Sequence, residues 1–521
     1  MGKTHPIAAF LVMLLATDSF VAGRIYSSRL IHRFSDEVQA LLMGTGTASW
    51  PERKSFRHMR LLLGNDLRRQ RQRLRLWPNN QTLVVSQGGQ TSNYGNDMGW
   101  LHYAWINVGT PNNSFLVALD TGSDMFWVPC DCVKCAPLSL SNYNKLDKEL
   151  GEYSPAHSSS SKQVPCSHEL CEMAPNCNTP KEHCPYATKY MSDDTSSSGF
   201  LFEDLLHLAS AGGNTHNSSD RATVIVGCGS RQSGEYLEGI APDGVMGLGP
   251  GDISVPSLLA KSGFVPHSLS FCYDKSYSGR LFIGDRGPPS QKSTSFLDSE
   301  QRAYFVEVEM YCVEGTCLKQ TGNTAQVDTG STFTFLPDDS YDQVVAEFHR
   351  QANASRTTYD VFDYCYQASA LKGPNIPSLK LVFSLNQTFV VENPTFHAIE
   401  DEVDVRCLGI LRIDGNIGLI GQNLMMGYRI VFDWEKQKLG WSASNCEDID
   451  GVHSTPSPNS DGASPNPLPT TEQQNNHSRA VAPALAGRAS PSHSPGFRPI
   501  IHYQNCLITF LLVVLLWIAY I

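Results

Sequence analysis

Charge is scarce in this sequence: Asp, Glu, Lys and Arg make up 17% of its 521 residues, against about a quarter in an ordinary globular domain. With 41% hydrophobic residues, that scarcity excludes a highly charged disordered chain, and the length exceeds what one core usually fills. Long apolar runs are missing too. The closing stretch Leu507–Ile521 has fifteen residues, short of the roughly 20 that a spanning helix needs. No His-Glu-x-x-His occurs, and Gly122-Ser123-Asp124 is no nucleophile elbow, so metallo and serine hydrolysis find no support. Sustained 3.6-residue periodicity is rare, with Asp339–Arg350 the clearest helix. Short β-rich runs such as Tyr103–Val108, Phe115–Leu119 and Thr223–Val226 alternate instead with Gly, Pro, Asn and Ser clusters, predicting a mainly β body.

What charge there is lies unevenly. Residues 24–95 hold twelve Lys/Arg and four Asp/Glu, a net of +8; the whole chain is −11 and its first 23 residues balance, leaving −19 on 96–521. A small basic piece ahead of an acidic body argues for docking of one part on another, not for nucleic acid. Residues 1–23 read as a signal peptide: Lys3, the apolar Ile7–Ala16, then small residues at Val21-Ala22-Gly23. In the secretory route fifteen cysteines read as a disulfide framework. Cys506, beside the apolar tail, is the odd one. The other fourteen are Cys130, Cys132, Cys135, Cys166, Cys171, Cys177, Cys184, Cys228, Cys272, Cys312, Cys317, Cys365, Cys407 and Cys446. Cys312 with Cys317 suits a local loop, and Cys365 with Cys407 a hairpin. Cys132-Val-Lys-Cys135 has zinc-ligand spacing but no matching second pair, which favours bridges and no metal site. Sequons at Asn112, Asn217, Asn353, Asn386 and Asn476 fit an extracellular body, and Asn80 begins another.

The front piece, 24–95, has helical character over Ser55–Leu76 and reads as a propeptide. Residues 96–295 and 296–446 form two halves of the β body. Residues 447–494 are rich in Pro, Ser, Asn and Ala and predict an extended stalk. Residues 495–521, with small residues at Ser492–Gly496 and a terminal apolar stretch, match a glycolipid (GPI) attachment signal with Ser494 or Ser492 as acceptor. A tail-anchored helix is the competing expectation.

One motif occurs twice in the body: Val117-Ala118-Leu119-Asp120-Thr121-Gly122-Ser123 and Ala325-Gln326-Val327-Asp328-Thr329-Gly330-Ser331. Each has a downstream apolar-glycine run, Gly244–Gly249 and Gly418–Gly421. A single Asp-Thr-Gly is an ordinary turn; two copies with paired glycine runs predict a pseudo-twofold molecule with one aspartate from each lobe. Two carboxyls about 3 Å apart cannot both ionise and share one proton, so one can act as base towards water and the other as acid towards a carbonyl. Each glycine lets the backbone turn close to the carboxylate. Thr121, Ser123, Thr329 and Ser331 supply hydroxyls and amides that orient it.

These motifs, with Phe126-Trp127-Val128-Pro129-Cys130, Gly227-Cys228-Gly229, the run Gly421–Asp433 and Leu439-Gly440-Trp441, resemble the pepsin-like aspartic proteases over Trp100–Cys446. Within them the chain is similar to the plant nepenthesin-like branch and its glycolipid-anchored members, which carry a cysteine-rich insertion where Cys130–Cys184 crowd here. The resemblance implies a bilobal, pseudo-twofold acid-protease fold, with catalytic Asp120 and Asp328 and an extended peptide substrate between the lobes. It also implies no cofactor and a monomer on the outer face of the plasma membrane. It makes Tyr190 the tyrosine of a β-hairpin flap over substrate and Trp127 its partner, although Met191 stands where the family has glycine. It gives the front piece its meaning as a propeptide whose cations lie over an acidic cleft. The competing function is an inactive binding or inhibitor protein on the same scaffold, which usually lacks an aspartate; both are present here.

Overall fold

The computed structural model describes residues 24–36, 38, 52, 54–75, 100–135, 152–189, 195–208, 220–238, 240–241, 243–274, 279–298, 303–359, 362–367, 376–400 and 403–446. The signal, stalk, tail, Cys506, Tyr190, Asn80, Asn217, Asn476, Ser492 and Ser494 lie outside them.

The apolar runs become strands: β1 (Tyr26–His32), β2 (His102–Val108), β3 (Asn113–Asp120) and β4 (Trp127–Lys134). The last six residues of β3 are all buried, as a strand covered on both faces must be. These four strands belong to a 14-stranded sheet, where β1 lies between Gly279–Ile283 and β2. Strands Tyr428–Asp433 and Lys438–Ala443 from the end of the body join the same sheet beyond Ser268–Tyr273, so it spans both lobes. The second lobe adds an eight-stranded and a four-stranded sheet.

The two halves repeat one local topology, which is the bilobal, pseudo-twofold fold expected. Strand β3 runs parallel to Val245–Gly247, pairing Asp120 with Gly247, and β4 crosses that strand antiparallel at Trp127 and Val245. In the second half Asn323–Val327 runs parallel to Ile417–Ile420, and Thr334–Pro337 crosses antiparallel at Phe335 and Leu419. The glycine runs are thus the parallel partners of the aspartate strands.

Seven disulfides bind the body. Cys130–Cys228 ties β4 to its neighbour, and Cys132–Cys135, Cys166–Cys177 and Cys171–Cys184 staple the insertion. Cys272–Cys446 closes the inter-lobe sheet. Cys312–Cys317 and Cys365–Cys407 form the two local links that spacing suggested.

The front piece is built into this body. Helix α1 (Phe56–Arg75) begins where Ser55 Oγ accepts the amide of His58 at 3.1 Å, an N-cap. Phe56, Met59, Leu62 and Leu63 recur on one face and pack on Phe333, Phe335, Phe362 and Phe396 of the second lobe. Phe56 also stacks on Tyr359, ring centroids 4.6 Å apart. Arg57 and Arg60 point to solvent, so the described contact is apolar, not the cationic grip expected from charge.

Candidate active site

Strand β3 ends in Asp120, and the equivalent strand delivers Asp328 one residue past its end. Each aspartate opens a turn that folds back on its own carboxylate. Gly122 N–H donates to Asp120 Oδ1 at 3.1 Å and Ser123 Oγ to Oδ2 at 2.7 Å. Gly330 N–H donates to Asp328 Oδ1 at 3.0 Å and Ser331 Oγ to Oδ2 at 2.6 Å. The same two donors on the same two oxygens hold both carboxylates in their ionised, acceptor form. Thr121 and Thr329, both buried, meet hydroxyl to hydroxyl at 3.3 Å and join the loops across the pseudo-twofold axis.

Glycine is required beneath these turns. A Cβ on Gly247 would stand 2.3 Å from the carbonyl carbon of Asp124, and one on Gly421 2.1 Å from the carbonyl oxygen of Phe333. That closeness lets Leu248 N–H reach the carbonyl of Asp120 at 2.8 Å and Asp328 N–H reach that of Ile420 at 3.1 Å. Asp124 is not part of the dyad; its Oδ1 accepts Gly251 N–H at 2.8 Å and secures the glycine run. Tyr273 is buried beside Thr329 and Asp328, and burial pushes its hydroxyl well above the ordinary tyrosine value.

Trp127 is fully buried in β4 with its ring edge-on to Tyr236, centroids 4.8 Å apart. The tyrosine assigned to the flap, Tyr190, lies outside the described residues, so their pairing does too. Asn112, Asn353 and Asn386 are exposed, and the last two sit at turns with left-handed backbone, φ 45° and 56°. Cys132 and Cys135 are joined to each other, which leaves no thiolate pair for zinc.

One contact was invisible to sequence reasoning. Asp66 of α1 is buried, and its carboxylate accepts the amides of Thr332 at 2.9 Å and Phe333 at 2.8 Å, directly after the second motif. Its signal in the sequence is slight: it is the one acid in an arginine-rich helix, one turn past Leu62 and Leu63.

Two β lobes, each presenting a tethered aspartate at equivalent turns, define the aspartic-protease class of architecture. The chain belongs to the pepsin-like plant aspartic protease family. The family model described as "Xylanase inhibitor N-terminal" matches residues 102–285 and its "C-terminal" companion residues 303–443. Aspartic proteinase-like protein 1 of Arabidopsis thaliana is 47% identical over 98% of each chain. Aspartyl protease family protein 1 of the same plant is 38% identical over 84% of this chain and 85% of the relative. Aspartic proteinase nepenthesin-2 of Nepenthes gracilis is 27% identical over 53% and 60%. Among solved structures, basic 7S globulin from soybean superposes with a TM-score of 0.52 at 19% identity, over 67% of this chain and 93% of that one. A second structure, titled edgp, gives the same score and identity over 67% and 92%. These two bear on the fold alone.

Proposed function

We propose that this chain is an aspartic endopeptidase that hydrolyses peptide bonds of an extended peptide or protein lying between its lobes. The observation that carries the reading is the matched pair of buried carboxylates, each held by a glycine amide and a serine hydroxyl. With one proton shared, the ionised member takes a proton from water as the water oxygen attacks the carbonyl carbon. The protonated member gives its proton to the carbonyl oxygen, forming a neutral tetrahedral diol. Collapse of the diol returns a proton to the leaving nitrogen and breaks the C–N bond. The chemistry uses carboxyls and water and calls for no cofactor. Because the dyad must keep one proton, activity belongs to acidic pH.

A second reading is favoured by the family model's description as a xylanase inhibitor: a binding protein on this scaffold. Both aspartate turns are complete here, which supports the enzyme. The test is digestion of an unfolded protein at about pH 4, with and without pepstatin, beside Asp120→Asn and Asp328→Asn. Each substitution should cost about 10²–10⁴-fold in rate. Correctly folded, propeptide-free protein without activity would give the binding reading precedence.

The surrounding proposals share this frame. The signal pattern, exposed sequons and seven bridges support a secreted glycoprotein. The terminal pattern supports a lipid anchor outside the plasma membrane, and residues 24–95 act as a propeptide on a monomeric body.

A further inference from the structure

We propose that the front piece is held on the catalytic body by a proton-operated latch whose sensors are His32, His58 and His102. The proposal rests on reading residues 24–95 as a propeptide. Strand β1 pairs with β2 so that His32 stands opposite His102, and their rings meet edge-on at 5.3 Å. Phe34 N–H donates to His32 Nδ1 at 3.2 Å; a nitrogen that accepts here carries no proton, so the docked imidazole is neutral. His102 contacts the side-chain amide of Gln422 at 3.4 Å from the other lobe. His58, on α1, meets the ring of Phe34 edge-on at 5.0 Å, and the Arg33 guanidinium lies 4.8 Å from that ring's centre on its other contact. All four are nearly sealed from water: His32 is 7% exposed, His58 6%, His102 3% and Arg33 2%.

The charged and titratable groups around them are few. From the front piece come Arg33 and, farther along α1, Asp66, whose charge is taken up by the amides of Thr332 and Phe333. From the body comes Tyr273, its ring 5.5 Å from His102, with Thr329 and Asp328 behind it. Protonating the imidazoles would add up to three cations beside a buried guanidinium and would turn His32 Nδ1 from an acceptor into a donor facing another donor. Asp328 alone would favour the charged form of His102, through an intervening ring. The docked state therefore binds protons less well than the released one. By linkage, docking is strongest above the ordinary histidine value of about 6.5 and weakens as pH falls below it. A carboxylate latch through Asp66 would yield only near the ordinary aspartate value of about 4, so the two mechanisms separate on the pH axis.

Hydrogen exchange on full-length protein carrying Asp120→Asn, which blocks self-processing, reads the latch without needing activity. Protection of residues 26–32 and 56–67, corrected for the intrinsic pH dependence of exchange, should be lost with a midpoint at about pH 6. The triple variant His32→Asn, His58→Phe, His102→Gln keeps an acceptor for Phe34, a ring against it and an amide for Gln422, and cannot titrate. Its midpoint should fall by about one pH unit or more. Coincident midpoints, or loss only at about pH 4 in both proteins, would overturn the proposal and make carboxylates such as Asp66 the sensors. Should the triple variant lose protection in strand Asp220–Ser233 at neutral pH, showing a damaged body, His32→Asn alone is read by the same criterion. Failure of the endopeptidase reading would show separately, as an inactive processed chain with this exchange behaviour intact.

Discussion

Asp243 is a buried acid outside the dyad. It is fully buried, and its Oδ2 accepts the amide of Leu116 at 2.7 Å, four residues before Asp120. Burial pushes its carboxyl well above the usual carboxylate range, only partly opposed by that amide. A raised folded-state value means the contribution is fully present below the unfolded value of about 3.9 and is lost as pH rises through the folded one. Asp243→Asn keeps an oxygen for Leu116 and cannot ionise. The urea midpoint of the variant should therefore match wild type at acidic pH and exceed it at neutral pH. An equal drop at both would mean that only the hydrogen bond matters. At this scale the sequence disclosed what was local. Asp120 and Asp328 sit in turns whose donors, Gly122, Ser123, Gly330 and Ser331, lie within three residues. Asp66 finds its amides 266 residues away, and His102 meets Gln422 across 320, distances at which no periodicity or motif reports.

Among elements, the parallel partner strands govern how firmly the aspartate turns are set. Ile417–Ile420 supports Asp328, and the chain leaves it through Gly421, where a Cβ would press on the Phe333 carbonyl at 2.1 Å. No rotamer change relieves a clash with backbone. Gly421→Ala should push the strand away from its turn and break the bond from Gln422 N–H to Ser331 O, now 2.8 Å. The prediction is a loss of activity of about 100-fold or more, as for misplaced catalytic groups, with the disulfide-bound first lobe still folded by near-ultraviolet circular dichroism. Wild-type turnover would show that the turn tolerates the strain. The glycine runs were readable as partners because they repeat with the aspartates. The place of β1 inside the large sheet was not, since Tyr26–His32 is a short apolar run whose neighbours, Gly279–Ile283 and β2, are chosen by tertiary pairing. Helix α1 was readable in extent, Ser55–Leu76 against Phe56–Arg75. Its docking face was misjudged because net charge drew notice to the arginines and away from the stripe Phe56, Met59, Leu62 and Leu63.

For the whole molecule, the proposed lipid anchor makes a prediction independent of catalysis. Phosphatidylinositol-specific phospholipase treatment of intact cells should release the protein into the medium, and Ser492→Leu/Ser494→Leu should prevent its display at the surface. Retention on the membrane after phospholipase treatment would favour a tail-anchored helix instead. The length, the doubled motif and the cysteine count conveyed a two-lobed secreted body because each is a global property of the chain. They said nothing of how one sheet draws strands from both lobes.

That shared sheet also decides where traction would be felt. The last strand, Lys438–Ala443, is followed within three residues by Cys446, which is bridged to Cys272 in the strand Ser268–Tyr273. A pull arriving from beyond residue 446 meets a covalent bond before it meets any hydrogen bond. The two terminal strands are spared from being peeled off one rung at a time, and the load passes to the middle of the inter-lobe sheet. A body tethered by its tail would thus yield first in whatever lies between Cys446 and the tether, leaving the paired aspartate turns undisturbed.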